Sequence, residues 1–134
     1  AEYRPLLAGF HLGGPECEAL RELLTSCRRE GVTAALVLMP EGPAFRGWYP
    51  EGVWHTSADW LRGLSREQSV PLINAREWLG EDAFFDSHHL MPDGAKEFTA
   101  RLGREGIVPL LSRAPSPQLP NVPSALHVDR APGR

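Results

Sequence analysis

Between Val32 and Met39 the chain carries an apolar, partly β-branched run that stops at Pro40. Such a run fits a strand covered on both faces, and parallel sheets contain such strands. The segment before it has a different period. Ala19, Leu20, Leu23, Leu24 and Cys27 recur at helical spacing, behind a Pro15 suited to the first helical position. Glu16 and Glu18 complement the dipole at the start, Arg28 and Arg29 at the end, and Gly31 supplies the stop. Residues 1–13 read as irregular, and Pro40 to His55 reads as a long loop rich in Gly and Pro. Ser57 is placed to cap a second helix running to about Arg66, with Trp60, Leu61 and Leu64 inward. Val70 to Asn74 reads as a short strand, held to an edge or to its own first residues by Pro71. One helical turn over Ala75 to Leu79 and a loop over Gly80 to Pro92 follow. A third helix starts at Pro92 or Asp93, carries Ala95, Phe98, Thr99 and Leu102, and ends near Gly103 to Gly106. Ile107 to Leu111 closes the ordered part.

This order of helices and strands gives an α/β fold with a parallel sheet and flanking helices. Two clear strands are few, since sheets usually hold four to six. The pattern therefore reads as a partial domain, residues 1–113 forming the C-terminal part of a larger α/β unit. Its apolar sheet edge should be open in the isolated piece. Residues 114–134 hold five of the thirteen prolines and show no periodicity, so they read as a disordered tail. Apolar residues at 42 % and charged residues at 23 % exclude collagenous and disulfide-scaffold classes. The net charge of −3 argues against a nucleic-acid footprint. No apolar run reaches the roughly 18 residues of a membrane span. Cys17 and Cys27 lie in one helix, about 15 Å apart at 1.5 Å per residue, too far to bridge to each other. The sequence does not disclose a compartment.

The densest polar cluster is Phe84-Phe85-Asp86-Ser87-His88-His89-Leu90-Met91-Pro92-Asp93-Gly94-Ala95. Asp86 and His89 are three apart in a loop that enters a helix, and at a turn or helix start i and i+3 side chains share a face. The carboxylate can take one imidazole N–H and leave the other nitrogen as a base. The bland alternative is a surface loop whose Asp caps the following helix. His88, beside His89, is expected to point away into solvent. A metal set of Asp86, His88 and His89 is disfavoured, because adjacent histidines rarely ligate one ion in a tight turn. Arg46, Trp48 and Tyr49, in the loop after the first strand, are candidate substrate-binding residues, since that end of an α/β sheet hosts ligands. Against this stands the reading that the aromatics close over the core while Arg46 pairs with an acid.

The block Asp86-x-x-His89-Leu90, with Pro92-Asp93-Gly94-Ala95 and Phe98-Thr99 in the next helix, resembles the last block of the SGNH (GDSL-type) hydrolases. The layout from about Pro15 to Leu111 is compatible, and the long aromatic loop after Met39-Pro40 resembles bacterial SGNH-like proteins in particular. The resemblance implies a flavodoxin-like sheet, with His89 as general base and Asp86 orienting it. It implies a serine ester hydrolase or O-acyltransferase acting on a small-molecule or carbohydrate ester, with no cofactor. The nucleophile of that superfamily lies in a Gly-Asp-Ser or Gly-x-Ser setting at the end of the first strand. No serine here ends a strand in that way, and Pro40-Glu41-Gly42 stands where an oxyanion-donor block is expected. The nucleophile is thus expected upstream, in another part of the same domain. The runner-up reading is a non-catalytic module that keeps the fold.

Overall fold

The computed structural model describes residues 3–10 and 12–113. Its elements are α1 (Tyr3–Ala8), α2 (Pro15–Arg29), β1 (Leu36–Leu38), α3 (Pro43–Arg46), α4 (Val53–Gln68) and β2 (Leu72–Asn74). A 3₁₀ turn (Glu81–Ala83), α5 (Pro92–Leu102), a π turn (Gly103–Ile107) and α6 (Val108–Arg113) complete them. The fold is a mixed α/β arrangement around one small parallel sheet. The expected tail over residues 114–134 lies outside the described residues.

The sheet pairs β1 with β2 in the register Leu36↔Leu72, Val37↔Ile73 and Leu38↔Asn74. The Leu36 amide donates to Pro71 O at 2.8 Å, and the Ala75 amide donates to Leu38 O at 3.1 Å. In a parallel ladder, alternate residues bond to the same neighbour. In this register the next donor toward the strand start would be Pro71, which has no N–H. That is why pairing stops at Leu36, although the apolar run starts at Val32. The long, doubly buried strand expected over Val32 to Met39 is therefore corrected to three half-buried residues, and Val32 and Met39 are exposed.

Other boundaries shift for local reasons. The expected irregular start contains α1, where Pro5 is the third helical residue and its missing N–H lies among the first four, which have no intrahelical acceptor. The expected loop from Pro40 to His55 contains α3, and α4 begins at Val53, four residues before Ser57. Gly52, at φ 79°, makes the entry turn. Ser57 is thus no cap, and its hydroxyl is buried with no hydrogen-bond partner among the described residues. Gly103 and Gly106 do not end α5. The helix widens into the π turn, and Gly106 lets it press on β2, because a Cβ there would lie 2.8 Å from Ile73 Cδ1.

The helix α2 packs on α4 through polar contacts as well as Leu24 and Leu64. Arg21 pairs with Glu67, and Thr25 Oγ1 donates to the buried Gln68 Oε1 at 3.4 Å. Leu23, which shares the helical apolar spacing with Leu24, is exposed. The main core lies elsewhere. Ala75, Leu79, Phe84 and Phe98 form it, with Val37, Trp78, Ala83, Leu90 and Leu102 packed around. Phe84 and Leu90 bracket the Asp86–His89 loop, so this core is its foundation. Among the described residues, no helix is long and apolar enough to cross a membrane.

Glycine substitutions test this packing in both directions. A Cβ on Gly94 would run into the Ala83 carbonyl oxygen and within 3.0 Å of the Ala83 Cβ, whereas one on Gly63, inside α4, meets nothing within 4 Å among the described residues. Gly94→Ala should cost about 1–3 kcal/mol by overpacking, and Gly63→Ala should add about 0.5–1 kcal/mol by helix propensity. Urea midpoints of the two variants check the signs.

Candidate functional site at the strand exits

Both strands leave the sheet at the same end. After β1 come Met39, Pro40, Glu41 and Gly42; after β2 come Ala75 and Arg76. The exits are tied together at the backbone, where the Glu41 amide donates to Arg76 O at 3.0 Å. Side chains tie them more firmly. Arg76 Nε donates to Glu41 Oε2 at 2.6 Å, and the Arg76 side chain is only 6 % exposed. The guanidinium lies 3.8 Å from the Trp54 ring centroid and 5.3 Å from that of Tyr49. Tyr49 Oη donates to Glu41 Oε1 at 2.6 Å. Burial, with the Glu41 carboxylate beside it, pushes the Tyr49 phenol well above its ordinary range. The Arg46 guanidinium donates through one nitrogen to Glu41 O at 2.6 Å and to Arg76 O at 3.4 Å. Arg46 and Tyr49, candidates for substrate binding, are thus engaged in holding the exits. Trp48 packs on Phe45, centroids 5.3 Å apart.

The second half of the site is the loop from Phe84 to Leu90. An antiparallel bridge between those two residues closes it, and the Phe85 amide donates to His89 O at 2.8 Å. Within it the Asp86 carboxylate is used at both oxygens. Oδ1 accepts from the amides of His89 at 2.7 Å and His88 at 3.1 Å. Oδ2 lies 2.9 Å from His89 Nδ1. The His89 imidazole first, then these amides, hold the Asp86 carboxyl down to about 2. With Nδ1–H given to Asp86, Nε2 carries the lone pair, and the ring is 61 % exposed. The structure thus brings Asp86 and His89 together as the spacing predicts, in a backbone turn.

His88 corrects its expectation in part. The residue is exposed, as expected, but its ring does not point away from His89. It stacks on Phe45 at 4.8 Å and 11°, and meets the His89 ring edge at 4.6 Å and 68°. The row Trp48, Phe45, His88, His89 runs from the β1 exit to the dyad. Among the described residues, no three of His, Cys, Asp and Glu group as metal ligands, so Asp86, His88 and His89 do not form such a set.

Sequence reasoning missed Glu41, Arg76 and Glu81. Each lies one or two residues beyond a recognised element, and the meeting of Glu41 with Arg76 depends on the strand register. The visible signal was an acid just after one strand and a base just after the other.

Two measurements follow from this geometry. Glu41→Ala leaves the Arg76 charge buried without its partner, so denaturant unfolding should show a loss of about 3–5 kcal/mol. A carboxyl ¹³C titration should place Asp86 near 2. Its pKa is depressed in the fold, so the stabilisation linked to it is complete above about pH 4, the unfolded carboxylate range, and fades as the pH falls through about 2.

No curated protein and no solved structure matches the chain. A family model does match, over residues 11–110, which takes in both strands, α4, α5 and the whole Asp86–His89 loop. On that match, covering about three quarters of its length, the chain belongs to an uncharacterised protein family.

Proposed function

We propose that this chain is the base-bearing part of an SGNH-type serine ester hydrolase or O-acyltransferase with a flavodoxin-like sheet. The observation that carries this reading is the Asp86 Oδ2 to His89 Nδ1 contact of 2.9 Å, with the imidazole open to solvent. In the proposed reaction Nε2 takes the proton of a serine hydroxyl as it attacks an ester carbonyl. Asp86 holds the ring and stabilises the imidazolium. The imidazolium then protonates the leaving alkoxide, which leaves an acyl-enzyme. Water, or a sugar hydroxyl in the transferase variant, gives its proton to the same nitrogen and takes the acyl group, and the imidazolium returns that proton to the departing serine oxygen. No metal or organic cofactor enters these steps. The proposed substrate is a small-molecule or carbohydrate ester, with Trp48, at the other end of the row that ends at His89, as its aromatic contact.

The serine of this scheme is proposed to lie upstream, in another part of the same domain. Ser87 donates to Glu81, Ser65 to Val70 O at 2.6 Å, and Ser112 to Val108 O at 2.8 Å. Exposed Leu23, Val32, Met39, Val108 and Leu111 supply apolar surface for further strands and helices to cover. These serine positions also support a second reading, a binding module of the same fold that performs no chemistry.

His89→Ala in the full-length protein should lower hydrolysis of an activated aryl acetate by about 10³-fold or more, with Asp86→Asn also strongly impaired. Turnover retained by folded His89→Ala protein excludes the hydrolase reading. Absence of turnover in the unaltered protein over a broad set of esters and acyl acceptors favours the binding module.

A further inference from the structure

Ser87 lies between the two members of the dyad and faces the opposite way. It is buried, and its φ of 62° puts a non-glycine residue in the left-handed region. A residue held there needs surroundings that fix it. Four contacts do so. Ser87 O accepts from the Gly42 amide at 2.8 Å. Ser87 Oγ donates to Glu81 Oε1. The other oxygen of Glu81 accepts from the Ala44 amide at 3.1 Å. Gly42 approaches so closely that a Cβ on it would lie 2.9 Å from Ser87 Cα and 2.8 Å from Glu81 Oε2. The dyad loop, the β1 exit, the start of α3 and the 3₁₀ turn thus meet at one point, and Glu81 touches two of the other three.

We propose that Glu81 and Ser87 form a positioning clamp that sets where the Asp86–His89 dyad stands relative to the β1 exit. The inference deepens the hydrolase reading and rests on it for its catalytic meaning, while its geometry stands apart from that reading. Neither residue touches the reacting atoms. Ser87 acts through the backbone of the turn whose amides at 88 and 89 bind Asp86. Glu81 acts through Ser87 and through α3, which carries the Phe45 ring beneath His88. With the clamp intact, Asp86 meets Nδ1 and leaves Nε2 outward. With it released, the turn is free to leave the left-handed conformation at Ser87, and the carboxylate loses its alignment with the ring.

The test is ¹⁵N NMR of the imidazoles in the full-length protein, which reports the His89 tautomer with or without turnover. The unaltered protein should show His89 protonated mainly at Nδ1. In Ser87→Ala and Glu81→Ala that form should fall to a minority, and the Asp86 carboxyl should titrate about one unit higher. Glu81→Gln keeps one acceptor and the same shape, so it should lie between, and it provides the reading if either alanine variant fails to fold. An unchanged His89 tautomer in folded Ser87→Ala, or in folded Glu81→Gln where Ser87→Ala does not fold, overturns the clamp. Failure of the hydrolase reading looks different: the tautomer responds to the variants while the unaltered protein neither turns over esters nor acylates.

Discussion

One buried charge pair governs the upper end of this fold. Burying Arg76 and Glu41 separately would cost several kcal/mol per ion. Together they satisfy each other at 2.6 Å, and Tyr49 fills the second carboxylate oxygen. Trp54 covers the guanidinium face. The pair can form only if β1 and β2 exit side by side, so it fixes the relative height of two strands that are themselves only three residues long. A two-strand ladder with Pro71 at its start has little pairing of its own to define register. The charge pair, the backbone bond beneath it and the carbonyl contacts of Arg46 supply what the ladder lacks.

The dyad hangs from this junction by one residue. Gly42 follows Glu41 directly, and its amide holds Ser87 O. Below, Phe84 and Leu90 fasten the loop to the core, and Gly94 lets α5 start against Ala83. Local and distant forces therefore divide the work. The Asp86 to His89 contact and the two amides that stabilise Asp86 lie within four consecutive residues and need no remote partner. Where that unit stands relative to the sheet is set by Gly42, Glu81 and the Phe45–His88 stack, all of them contacts between separate segments. A solvent-open imidazole held this way combines access for a substrate with a fixed orientation, as a general base requires.

How much of this was legible in the sequence follows the same division. The helix α2 was readable because its caps, charges and apolar period agree. The dyad was readable because its spacing is short enough for a turn to bring Asp86 and His89 together. The extent of β1 was not, since the length of its ladder is decided by a proline in the other strand. The early start of α4 escaped because Ser57 is a good cap in isolation, whereas Gly52 at positive φ begins the helix one turn sooner. Gly103 and Gly106 read as a stop, yet Gly106 serves the contact with Ile73. The Glu41–Arg76 pair and the Glu81–Ser87 contact join residues 35 and 6 apart. Neither has a spacing signature, and the first appears only once the strands are in register.

The proposed activation of a serine by His89 can be read from a covalent label. It is tested most directly by treating the folded full-length protein with a fluorophosphonate and locating the adduct by mass spectrometry. A single labelled serine upstream of residue 1 is expected, with labelling abolished in His89→Ala. No adduct on any serine, or an adduct that forms equally well without His89, would contradict it.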